Sequence, residues 1–135
     1  MLLLAAGPAT VAGEEAAVTG TVRISPLVIT LELEAATVGV GTPVKARATV
    51  GNVGIVAVRR VDVALRLDPV GLVLRGPTTR HLQQVREGRS ATVPWAMCGS
   101  VPGTYVVLAQ ASADGVTVES AARLLTIAPG NRRSC

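Results

Sequence analysis

Residues 27–34 read Leu27-Val28-Ile29-Thr30-Leu31-Glu32-Leu33-Glu34. Leu27, Ile29, Leu31 and Leu33 hold alternate positions, and the residues between them end in two carboxylates. A period of two marks a strand with one buried face, because successive side chains of a strand point to opposite sides. The next apolar stretch keeps the same rhythm: Val44, Ala46, Ala48 and Val50 alternate with Lys45, Arg47 and Thr49. Gly39, Gly41, Thr42 and Pro43 turn the chain between the two segments. If these strands pair, Glu32 and Glu34 face Lys45 and Arg47 on the outer surface. Opposite charges across a strand pair contribute roughly 0.2–1 kcal/mol each.

The pattern continues outward from this pair. Asn52-Val53-Gly54 forms a turn. Val61, Val63, Leu65 and Leu67 then alternate with Asp62, Ala64, Arg66 and Asp68. Pro69 ends that strand, since it has no N–H to give the ladder. A short strand is expected at Leu72-Val73-Leu74, and a polar loop, holding His81, over residues 78–89. Ala91, Val93 and Trp95 share a face, with Pro94 marking an edge or strand end. Tyr105 to Ser112 is a strongly apolar strand. Asp114-Gly115 is a hairpin signal. Val116 to Ile127 is the last strand, with a bulge expected near Ala121-Ala122. The fold class that follows is all-β: an immunoglobulin-like antiparallel β-sandwich of about seven strands.

The chain has 135 residues, 49% of them hydrophobic and 16% charged, so it is neither disordered nor short of core. Residues 24–128 are expected to form the one domain. Residues 1–13, from Met1-Leu2-Leu3-Leu4 to Gly13, resemble a truncated secretory signal peptide, although no Lys or Arg precedes the leucines. Residues 14–23 read as a tether and 129–135 as a tail. No apolar run is long enough for a transmembrane helix. With no Phe, one Trp and one Tyr, stacking on single-stranded nucleic acid has no platform, and no nucleic-acid partner is expected. A single His leaves little material for metal or triad chemistry. No cofactor and no enzymatic activity are expected. The net charge of +4 is spread along the chain, with Lys45 the only Lys among 13 basic residues.

Several segments, in order, resemble the bacterial cell-adhesion-related domain CARDB, an immunoglobulin-like family of surface proteins. They are Asn52-Val53-Gly54 after the second strand, Glu87-Gly88-Arg89-Ser90-Ala91-Thr92-Val93-Pro94-Trp95, Pro102-Gly103-Thr104-Tyr105, and Asp114-Gly115 with Val116-Thr117-Val118-Glu119-Ser120. The resemblance runs from about Leu27 to Ile127. Where the family carries paired asparagines after that glutamate segment, this chain has Ala121-Ala122-Arg123, so no polar or ion-binding role carries over. The resemblance implies a non-enzymatic domain for adhesion, interaction or spacing, secreted or held in the cell envelope. Its partner would be a protein or a cell-surface polymer, and the domain would belong to a longer protein or act alone. The alternative is a small carbohydrate-binding β-sandwich module, which needs Trp95 and Tyr105 exposed on one face.

Two features mark candidate sites. Cys98 lies between the fifth and sixth strands, and Cys135 lies just past the seventh. An antiparallel sixth and seventh strand bring these to the same end, so a disulfide is expected there; two free thiols, or a bond to another chain, are the rivals. On the sixth strand, Tyr105, Val107, Ala109 and Ala111 face inward, which leaves Val106 and Leu108 outward. With Ala64 and part of the last strand beside them, an apolar interaction patch is expected; the alternative is a side covered by the tail or by the 78–89 loop. Tyr105 itself sits where a tyrosine corner hydrogen-bonds back to the preceding loop, and Asn52 is expected to hold its turn through its side chain.

Overall fold

The alternating segments form ten strands among the residues described by the computed structural model, 25–130 and 135. They are β1 (Leu27–Leu33), β2 (Thr37–Gly39), β3 (Val44–Asn52), β4 (Val58–Arg66), β5 (Leu72–Arg75), β6 (Thr79–Val85), β7 (Ser90–Gly99), β8 (Gly103–Ala113), β9 (Val116–Glu119) and β10 (Arg123–Ala128). The smaller sheet has the order β1-β3-β7-β5. The larger runs β2-β10-β8-β4-β6, with β9 also paired to β8. The two sheets pack face to face as an immunoglobulin-like sandwich. The expected signal peptide and tether lie outside the described residues.

The first two long strands pair as their charges require. Glu32 stands opposite Arg47 across β1 and β3, and their side chains meet at 3.1 Å. The Lys45 N–H donates to Glu34 Oε1. Leu27, Ile29 and Leu31 are buried against Val44, Ala46, Ala48 and Val50, the residues that the alternation placed inward. Val61, Val63, Leu65, Val93, Trp95, Val107 and Ala109 belong to the same core, which Val58, Leu72, Val85, Met97, Ala111, Leu125 and Ile127 extend. Tyr105, expected inside, is only partly buried. Pro94 lies within β7 opposite Arg47. On the other side of β7, β5 pairs only from Ala96 to Gly99, so the missing N–H breaks no ladder bond there.

Three departures raise the strand number from seven to ten. Thr37–Gly39 crosses to the larger sheet and pairs in parallel with Thr126–Ala128, the exception to an otherwise antiparallel fold. The stretch expected to be a loop at 78–89 contains β6, which pairs with β4 and places His81 on a strand, with His81 Nδ1 2.5 Å from Asp62 Oδ1. Its polarity reflects an edge position: β6 has a neighbour on one side only. The alternation also breaks within this pair. Arg60 takes a left-handed φ of 56°, and Val58 and Val61 are both buried with Arg59 and Arg60 both exposed between them.

The last strand divides at its bulge. Glu119 opposes Gln110 and Arg123 opposes Val107, so four steps along β9–β10 match three along β8. Ser120, buried at the break, keeps the ladder closed. Its N–H donates to Ala109 O, and its Oγ accepts from Ala109 N–H. Arg123 closes the open side of the sandwich, donating from Nε to Leu31 O in the opposite sheet.

Each end of the sandwich has its own fastening. At one, Tyr105 Oη donates to Val101 O at 2.6 Å, the tyrosine corner expected from the sequence. Gly71 lies against that ring so closely that a Cβ there would sit 2.2 Å from its atoms. At the other end, Asn52 is buried. Its Nδ2 donates to Val56 O (2.8 Å) and Val85 O (2.9 Å), and its Oδ1 accepts from Gly54 N–H (2.9 Å). Its backbone joins the 86–89 turn through Arg89 O and Gly88 N. One amide thereby ties the 53–57 loop to both sheets.

Candidate interaction surface

The outer face of the larger sheet is built by β4, β8 and β10. With Tyr105 and Val107 turned toward the core, Val106 and Leu108 must project outward. Val106 is 53% exposed, and Leu108 and Ala64 are half-buried on the same face. Ala64 pairs with Gln110 and Arg66 with Leu108, so Ala64 stands diagonal to Leu108.

Leu124 joins them, directly opposite Val106 and 61% exposed. The sequence brings part of the last strand to this patch without singling out Leu124. The reason is the bulge. Before it, Val116, Val118 and Ser120 turn inward at even positions; after it, Leu125 and Ile127 do so at odd ones. An unbroken strand would have buried Leu124. The extra residue changes its face.

Polar groups frame Val106, Leu108 and Leu124. Arg66 Nη1 donates to Gln110 Oε1 at 3.2 Å, and Gln110 Nε2 donates to the Glu119 carboxylate, a connected chain along one border. The Thr104 and Thr126 hydroxyls meet at 3.3 Å on the other. An apolar centre with a hydrogen-bonded border is the usual anatomy of a protein-binding patch.

The two cysteines meet at the tyrosine-corner end. Cys98 and Cys135 are joined, with Cα atoms 6.1 Å apart, within the span a disulfide bridges. The bond ties the last described residue to β7.

The aromatic side chains do not build a platform. Trp95 is 2% exposed and sits in the centre of the core, where its indole N–H meets no acceptor among the described residues. Tyr105 is held on Gly71 by its corner bond. Among the described residues, no three His, Cys, Asp or Glu side chains gather at a metal-binding distance. No helix among them is long and apolar enough to cross a membrane.

No protein-family model matches the sequence. No curated protein matches it either. The fold itself has counterparts among solved structures. The chain is similar to the CARDB domain of a Pyrococcus furiosus protein, with a TM-score of 0.57 at 13% identity, over 79% of this chain and 100% of that one. It is similar also to the sporulation control protein Spo0M of Bacillus subtilis, with a TM-score of 0.53 at 12% identity. That match covers 79% of this chain and 51% of Spo0M. The structural resemblance to CARDB agrees with the motifs that suggested it, and at these identities it is a likeness of fold.

Proposed function

We propose that this domain is a non-enzymatic interaction module working outside the cytoplasm, secreted or held in the cell envelope, where it binds a protein partner or spaces its neighbours. The observation that carries this reading is the outward apolar group Val106, Leu108 and Leu124, framed by hydrogen-bonded polar residues. Exposed aliphatic clusters of this kind are disfavoured on a surface that binds nothing. The Cys98–Cys135 bond supports the compartment, because such bonds persist where the surroundings are oxidising. The carbohydrate-module alternative gains no support, since Trp95 is enclosed and offers no ring face to a sugar.

The test is the double variant Val106→Thr/Leu124→Thr. Both positions are exposed, so its melting temperature should match the parent's within a few degrees. Binding is read by sedimentation velocity over a concentration series, and by retention of the exported protein on cells. Loss of association or retention in the variant is the expected result. Equal behaviour of variant and parent in both assays rejects the outer face as the binding surface.

A further inference from the structure

The Asn52 end of the sandwich carries a second surface, unrelated to the outer face. The 53–57 loop projects three aliphatic side chains from it: Val53 is 71% exposed, Ile55 91% and Val56 68%. This loop is not a frayed one. Asn52 holds it by two side-chain hydrogen bonds, to Gly54 N–H and Val56 O, and anchors it to β6 by a third, to Val85 O; the Val53 N–H donates to Pro26 O, so the apolar tip is presented by a fixed base. A folded chain gains nothing by holding an isoleucine that is 91% exposed at an apex, unless something meets it there.

Arginines flank this tip. Arg86 and Arg89 lie on the turn that hydrogen-bonds to the Asn52 backbone, and both are exposed. Arg59 and Arg60 open β4 immediately after the loop, and both are exposed. In a regular strand one of two neighbouring residues would turn inward. The left-handed backbone at Arg60 instead accompanies the exposure of both side chains. Non-glycine residues in that region are strained, and such strain clusters at functional sites. Among the described residues, the acidic ones at this end are Glu87, on the same turn, and Asp114, on the β8–β9 hairpin that lines the recess beside Val56. Among those residues, cations outnumber anions by two: four Arg against one Glu and one Asp.

We infer that this end docks on an anionic lipid bilayer. Val53, Ile55 and Val56 enter the boundary between headgroups and acyl chains, while Arg59, Arg60, Arg86 and Arg89 meet lipid phosphates. The arrangement favours a bilayer over a folded protein. The tip is aliphatic and exposed, with its cations on the turn and the strand that flank it, which matches the composition of a membrane-interface segment. Arginine also matches phosphate geometry better than lysine, and every cation here is Arg. The docking uses no residue of the outer face, so either surface can fail without the other.

The experiment is flotation of the full chain with vesicles of phosphatidylglycerol and phosphatidylcholine, and with phosphatidylcholine alone. Binding to the anionic vesicles is expected, falling as salt rises. Ile55→Ser/Val56→Ser should reduce the bound fraction at least tenfold in the anionic vesicles. Arg86→Gln/Arg89→Gln should reduce it severalfold and flatten the salt dependence. All four positions are exposed, so thermal melts should show the variants folded. Because every variant retains residues 1–24, differences among them report on the tip alone. Three results overturn the inference: no binding to anionic vesicles, equal binding by the serine variant and the parent, or tip-dependent capture of a soluble protein without vesicle binding.

Discussion

At one end of the sandwich the chain is closed by a phenol ring and a covalent bond; at the other it is closed by one amide side chain. The tyrosine-corner end packs Tyr105 onto the bare backbone of Gly71 and joins Cys98 to Cys135. The Asn52 side chain makes three hydrogen bonds, two to the 53–57 loop and one to the end of β6, while its backbone holds the 86–89 turn. The contrast teaches how a chain almost without aromatics fixes its loops. One end uses its only Tyr, and the other substitutes a fully satisfied polar hub. Hydrogen bonds leave the loop above them free to carry exposed side chains, so the apolar tip stands over Asn52.

This contrast can be broken in solution, and the largest expected effect is at the covalent end. Reducing the disulfide, or making Cys135→Ser, opens a link between residues 37 apart in sequence. In the chain-entropy model that is worth about 4 kcal/mol, lessened because the folded protein must also order the tail. Urea melts with and without reductant measure it. Hydrogen exchange should rise around Gly99 and leave the amides of Asn52 and Gly54 protected. Equal loosening at both ends would show that they are not fastened independently.

The next effect belongs to the amide. Asn52→Ala strands one buried carbonyl, Val85 O, and two part-buried groups, Val56 O and the Gly54 N–H, which should cost about 2–3 kcal/mol. Tyr105→Phe is its counterpart: it removes one hydrogen bond and keeps the ring on Gly71, so it should cost about 1 kcal/mol. Urea midpoints of the two variants rank the fastenings, and a costlier Tyr105→Phe would reverse their order.

The smallest effect has the opposite sign. Arg60→Gly removes the side chain from a left-handed position, and should stabilise the fold by about 0.5–1 kcal/mol after the flexibility of glycine is counted. A thermal melt detects it. The same variant should weaken binding to anionic vesicles, so stability and docking would move in opposite directions.

Much of this was legible in the chain. The period-two runs at Leu27–Leu33 and Val44–Val50 gave their strands, their buried faces and the Glu32–Arg47 pair. The position of Tyr105 after Pro102-Gly103 gave the corner bond. Two kinds of feature stayed hidden. β6 was hidden because an edge strand needs less apolar surface, so Thr79-Arg80-His81-Leu82-Gln83-Gln84-Val85 has the composition of a loop. Leu124 was hidden because its face depends on the number of residues across the bulge. A bulge near Ala121-Ala122 was legible; the change of parity was settled only when Arg123 aligned with Val107. The Arg59–Arg60 exposure is a break of the same kind, set by a single backbone angle.

By itself the sequence determined the fold class, the inward faces of its regular strands and the presence of a single histidine. Those properties are local: alternation and composition are written into neighbouring residues. The tertiary structure decided what neighbours cannot specify. It placed β9 and β10 end to end on β8, with one residue to spare, and so turned Leu124 out beside Val106. It brought the Arg86–Arg89 turn to the end where Ile55 projects. Surfaces are assembled from residues far apart in the chain, and the registers that assemble them are fixed only when both sheets bury their faces together.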